Sequence, residues 1–91
     1  MEYTNYLQAV EVDKDLCLTI AMEECAELIQ AISKAKRGKL DRDNLVEEIA
    51  DVRICINWLL SIFDIKLEEE LDLINYKRDR VVKRLNKGEF K

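Results

Sequence analysis

The 91-residue chain has no histidine, no proline and two glycines, Gly38 and Gly88. Without imidazole, a His-ligated zinc site, a Ser-His-Asp triad and a di-iron bundle built on Glu-x-x-His pairs are all excluded. Two isolated glycines leave no P-loop and no dinucleotide fingerprint. The three cysteines, Cys17, Cys25 and Cys55, are odd in number and show no CxxC spacing. Each sits among apolar residues at helical spacing, so they read as reduced, small, core-facing side chains of an intracellular protein. No apolar run approaches the roughly 20 residues that span a bilayer. The opening stretch MEYTNYLQAV lacks the basic and apolar regions of a secretory leader. The expectation is a cytoplasmic chain with no membrane partner.

Charge and aliphatic carbon fill the space those absences leave. Apolar residues make up 48% and charged residues 37% of the chain, the balance of long amphipathic helices. Nineteen acids against 15 bases give a net charge of −4. That argues against a nucleic acid polymer as partner, because phosphate neutralisation needs a basic face. A single nucleotide remains compatible, since a metal ion mediates between acids and phosphates. The length fits one domain, residues 1–91. A core that small is marginal alone, which favours burial of a face against a second copy.

Residues 1–12 carry no strong cap and fit one helical turn or two. From Asp13 or Asp15, both suited to an N-cap, the pattern turns helical, with Leu16, Ile20, Leu28, Ala31 and Ile32 recurring at spacings of three, four or multiples of them. Gly38, just past Lys34, Lys36 and Arg37, reads as the residue that ends this helix. Asp41 or Asp43 caps a second helix carrying Leu45, Ile49, Val52, Ile56, Leu59, Leu60 and Phe63, which ends near Asp64. A third begins around Leu67, with Glu68, Glu69 and Glu70 in its first turn, where the helix dipole favours acids. The fold class expected is all-α: an antiparallel bundle of three to four helices with short loops, completed by dimer or tetramer formation.

Two segments repeat each other 24 positions apart, EECAEL at 23–28 and EEIADV at 47–52. At about 100° per residue, Ile20, Glu24, Glu27 and Ala31 fall within about 60° of one another. The two glutamates therefore interrupt the apolar stripe. On the second helix Glu48 shares a stripe with Val52, Cys55 and Leu59, and Asp51 flanks it beside Trp58. Glu23 and Glu47 sit about 100° further round. Buried, unpaired carboxylates are costly and repel one another. Two outcomes fit: the acids pair with the lysines and arginines of 34–39 and 77–84 at the stripe's edge, or two facing acid pairs form an oxygen-only cage for a hard cation, Mg²⁺ or Mn²⁺.

Glu23-Glu24-Cys25-Ala26-Glu27, then 20 residues, then Glu48-Ile49-Ala50-Asp51 resembles the E-E-x-x-E … E-x-x-D signature of the MazG-type all-α nucleoside triphosphate pyrophosphohydrolases. The flanks AMEECAELIQAISK and EEIADVRICINWLL look similar too. The resemblance runs from about Leu16 to Asp64 and, more loosely, to the C-terminus. It implies cleavage of a (d)NTP between the α and β phosphates, with Mg²⁺ held by Glu24, Glu27, Glu48 and Asp51 and Mn²⁺ as a substitute. Glu23 matches the extra acid of the signature, for which two roles are open: orienting or deprotonating the attacking water, or standing exposed behind the ligands. The resemblance also implies that the protein is a homodimer or homotetramer with its site near the subunit interface.

Many relatives carry a lysine and then an asparagine–arginine pair on the last helix, contacting phosphates. Here INYKRDRVVKRL places Asn75 before Lys77, so Lys77 and Arg80 are the phosphate-contact candidates of a cationic strip whose order departs from the family's. Trp58 is a candidate for stacking on a base, as are Tyr3 and Tyr6 if the N-terminus folds back; core packing is the alternative for Trp58. A different class of protein also fits: a helical interaction module, or a nucleotide-binding regulator, with a vestigial acidic site.

Overall fold

The computed structural model describes residues 2–89. Those residues form α1 (Gln8–Val12), α2 (Lys14–Lys36), α3 (Arg42–Ile62) and α4 (Leu67–Asn86), with no strand. The all-α class is as expected, and the uncapped stretch before Asp13 contributes one short helix.

Local chemistry sets the boundaries. Asp13 accepts a hydrogen bond from Leu16 N–H at 3.0 Å, and Asp41 accepts one from Asn44 N–H at 3.1 Å. Each satisfies one of the donors a helix start leaves open, so the earlier aspartate of each candidate pair is the cap. Glu69 reaches back to accept from Lys66 N–H at 3.3 Å and fixes the start of α4. At the end of α2, Gly38 takes φ +78° and Lys39 N–H closes on Lys34 C=O at 2.9 Å. α3 ends the same way, with Asp64 at φ +51° and Ile65 N–H bonded to Leu60 C=O at 2.9 Å. Aspartate is among the few residues besides glycine that visit this left-handed conformation.

α2 and α3 form an antiparallel hairpin whose register can be read from its neighbours. Ile20 and Cys55 line one hollow, Glu24 lies against Asp51, and Glu27 lies against Glu48. Each step up α2 is matched by an equal step down α3. The enclosed apolar residues are small: Cys17, Ala21 and Ala31 on α2 and Cys55 on α3. Small side chains let the two axes approach closely. Two helices enclose only a narrow seam, so much of the expected stripe lies at its edge. Ile20 and Leu28 are half-buried, while Leu16, Ile32 and Ile49 are exposed. Cys25 is also exposed, contrary to its reading as a core residue, because it sits beyond the seam beside Met22 and Ile29.

The N-terminal segment lies across one end of the hairpin. Trp58 Nε1 donates to Tyr6 C=O at 2.9 Å, and Asn57 Nδ2 donates to Tyr6 Oη at 2.8 Å. α4 contrasts with this. It buries no residue, packs only marginally on the rest of the chain, and leaves Leu71, Leu73, Tyr76 and Val82 exposed. The radius of gyration is accordingly 16.7 Å, against about 12 Å for a compact chain of this length.

Candidate metal centre

The middle of the α2–α3 seam is carboxylate. Between the buried Ala21 and Ala31, α2 turns Glu24 and Glu27 toward α3, which answers with Asp51 and Glu48. Glu24, Glu27 and Glu48 each offer one oxygen within 4.8 Å of the others. Glu48 is only 8% exposed. Its Oε2 and that of Glu24 are enclosed and have no hydrogen-bond partner.

Among the described residues, no ion pair joins a lysine or arginine to any of these four acids. The charges acting on Glu24 and Glu48 all come from other carboxylates. Burial, followed by the charges of Glu27, Asp51 and Glu48, pushes Glu24 up to about 7 from the usual 4.5. Burial, with Glu27 next, likewise raises Glu48. Edge pairing with the basic residues is therefore not how this protein accommodates its acids.

A pH dependence follows with a definite sign. Because the folded state holds its proton more tightly than the unfolded chain does, stability is greatest below the unfolded value and falls as pH rises through the folded one. The metal-free protein is expected to lose stability between about pH 4.5 and 7. Melting curves in a chelator, recorded at about pH 5.5 and about pH 8, check this. An unchanged or higher melting temperature at the alkaline end contradicts the cluster's electrostatics.

The donor set and its two orphaned oxygens fit a hard divalent cation, which supplies the missing positive charge and takes oxygen ligands only. Asp51 is half-buried beside Glu24 and lies outside the three converging acids. Glu23 and Glu47 are exposed. Lys77 and Arg80 lie exposed on α4 and are not among the charges that act on Glu24 or Glu48, so one protomer does not bring them to the cluster.

Sequence reasoning missed a polar hollow of about 290 Å³ in which Lys34, Asn44 and Gln30 accompany Glu27 and Glu48. The signal was available. Lys34 follows Glu27 by seven residues and Asn44 precedes Glu48 by four, both spacings that keep a helix face. The buried thiols of Cys17 and Cys55 are pushed up mainly by burial, with Asp13 and Glu24 adding to it. They are inert packing groups.

A helix seam interrupted by converging, uncompensated carboxylates defines an all-α protein with a centre suited to a divalent cation. The chain belongs to the MazG family: the MazG nucleotide pyrophosphohydrolase domain matches residues 13–85 of the 91. The matched range covers α2, α3 and nearly all of α4. No match was found among curated proteins or among solved structures. Among the described residues, no helix is long and apolar enough to cross a membrane.

Proposed function

We propose that this chain is a Mg²⁺-dependent nucleoside triphosphate pyrophosphohydrolase, cleaving a (d)NTP between its α and β phosphates to a nucleoside monophosphate and pyrophosphate. The observation that carries this reading is the enclosed, uncompensated carboxylate cluster on a MazG scaffold. Glu24, Glu27, Glu48 and Asp51 would hold the ion, with Mn²⁺ as a substitute. A bound ion supplies charge neutralisation at the phosphate oxygens and Lewis acidity. The exposed Glu23 stands on the next helical position and is assigned to orient or deprotonate the attacking water.

Lys77 and Arg80 are assigned to the polyphosphate. Since α4 packs only marginally on its own protomer, they would serve the site of another copy in a homodimer or homotetramer. The exposed aliphatic surface supports that assembly. The three free cysteines agree with the cytoplasm as the compartment, and the net charge of −4 with a mononucleotide substrate rather than a nucleic acid polymer.

The test is pyrophosphate release from the common NTPs and dNTPs, with and without Mg²⁺. Metal-dependent formation of monophosphate and pyrophosphate is the expected result. No turnover of any nucleotide, with Mg²⁺ failing to raise the melting temperature, would leave the protein as a helical interaction module, which its exposed aliphatic surface also fits.

A further inference from the structure

The acid cluster is the middle of three features aligned along the α2–α3 seam. On the Glu24–Asp51 side lies a hollow of about 220 Å³ that these two acids share with Ile20 and Trp58. Ile20 and Trp58 also belong to the next hollow, about 390 Å³ and almost wholly apolar, which Tyr3 and Tyr6 help to line. On the Glu27–Glu48 side lies the polar hollow of Lys34, Asn44 and Gln30. The antiparallel register fixes the order: aromatic hollow, Glu24–Asp51, Glu27–Glu48, polar hollow. Trp58 stands seven residues from Asp51, and Lys34 stands seven from Glu27, each about 10 Å along its helix.

We propose that the Tyr3–Tyr6–Trp58 hollow is the nucleobase site, and that the bound nucleotide lies along the seam with its triphosphate tail running toward Lys34. This deepens the pyrophosphohydrolase reading and rests on it. A flat, weakly polar ring suits an apolar aromatic hollow, which would strip a polyphosphate of water and give no compensating charge. A polyphosphate suits the hollow with Lys34 and two amides. The spacing from Trp58 to Glu24–Asp51 is that of a nucleoside, which sets the α phosphate beside those acids and the β and γ phosphates beside Glu27, Glu48 and Lys34. The hydrogen bond from Trp58 Nε1 to Tyr6 C=O fixes the indole and holds the N-terminal segment over the hollow before any ligand arrives. A stacking surface set in advance loses little entropy on binding.

Trp58 is the only tryptophan of the chain, so its emission reports directly on the hollow. The product nucleoside monophosphate is expected to change that emission saturably, and ribose 5-phosphate and inorganic pyrophosphate are not. Trp58→Leu should raise KM by about ten- to a hundredfold, with kcat changed far less, and should flatten the preference among bases. Trp58→Phe, which keeps a ring, should retain the preference. Lys34→Gln should weaken all substrates by a common factor.

Wild-type turnover without any emission change, or a base preference untouched by Trp58→Leu, would overturn the proposal while leaving the pyrophosphohydrolase reading intact. Emission that follows protein dilution but not nucleotide would also overturn it, by assigning the hollow to a second copy. If the wild type turns over no nucleotide, the pyrophosphohydrolase reading fails. Saturable monophosphate binding at Trp58 would then still uphold the hollow as a base site, and its absence would remove both.

Discussion

Replacing Glu48 with glutamine should lower pyrophosphate release by about 10³-fold or more, and should raise the melting temperature of the metal-free protein at about pH 8. The two effects have one cause. Glu48 is the most enclosed of the converging acids, with one oxygen unpartnered and Glu27 beside it. Its charge is unfavourable in the empty protein and is compensated only by a cation. Glutamine removes the charge, keeps the shape, and can donate an N–H to the Glu27 carboxylate. On the proposed function it also removes a hard anionic ligand, and several kcal/mol of charge stabilisation at the phosphates would go with it.

The signature is therefore a crossing of two melting curves. The wild type is expected to gain from Mg²⁺, by about 2.7 kcal/mol at a hundredfold excess over Kd, and the variant to gain little. Calorimetry with and without Mg²⁺, alongside a pyrophosphate assay, reads both. A variant that stays active, or that melts lower when metal-free, would mean that Glu48 is a structural residue paired in some other way.

On the proposed homo-oligomeric assembly, Ile29→Glu should yield a monomer and lower the melting temperature by about 20 °C, or abolish cooperative unfolding. In one protomer Ile29 is 66% exposed, and a substitution at such a position ordinarily changes stability by about 0.5 kcal/mol or less. Ile29, however, borders an apolar hollow of about 530 Å³ with Met22, Leu18 and Leu59, on the outer side of a hairpin whose own core is cysteine and alanine. Covering that face with a second copy buries an isoleucine twice, at about 1.5–3 kcal/mol each. A glutamate in its place adds the cost of desolvating an unpaired charge. The total matches the whole stability of a domain this size. Sedimentation and a thermal melt are sufficient to check it. A melting point within a few degrees of wild type, with unchanged mass, assigns the face to solvent.

The sequence revealed some of these features far better than others, for physical reasons. Caps are local, so neighbouring residues narrowed each helix start to two aspartates, Asp13 or Asp15 and Asp41 or Asp43, placed Gly38 at the end of α2, and set the end of α3 near Asp64. The hydrogen bonds to Asp13 and Asp41 then decide between them. The acids were also legible, because two i,i+3 pairs on packing faces are costly unless they meet. Which of them meet is tertiary information: Asp51 lies beside Glu24 and outside the converging three. The core was the poorest reading. Periodicity marks the face of a helix that turns inward but not how much of that face a single neighbour can cover, so Ala31 is enclosed while Leu16 and Ile32 are not. Cys25 was misread for the same reason. Nor could periodicity show that α4 would find almost no partner in its own chain, or that Trp58 would be held by Tyr6.

The link between Tyr6 and Trp58 also bears on the order of folding. It joins positions 52 apart, whereas the α2–α3 hairpin closes through a short turn at Gly38. Loop closure of that span has to wait for the surface it docks on, and contacts of large sequence separation form slowly. The hairpin should therefore assemble first and the N-terminal strap fasten last. Rapid-mixing fluorescence would then show the single tryptophan reaching its native emission after the helical signal is complete, and the aromatic hollow would be the final part of the molecule to exist.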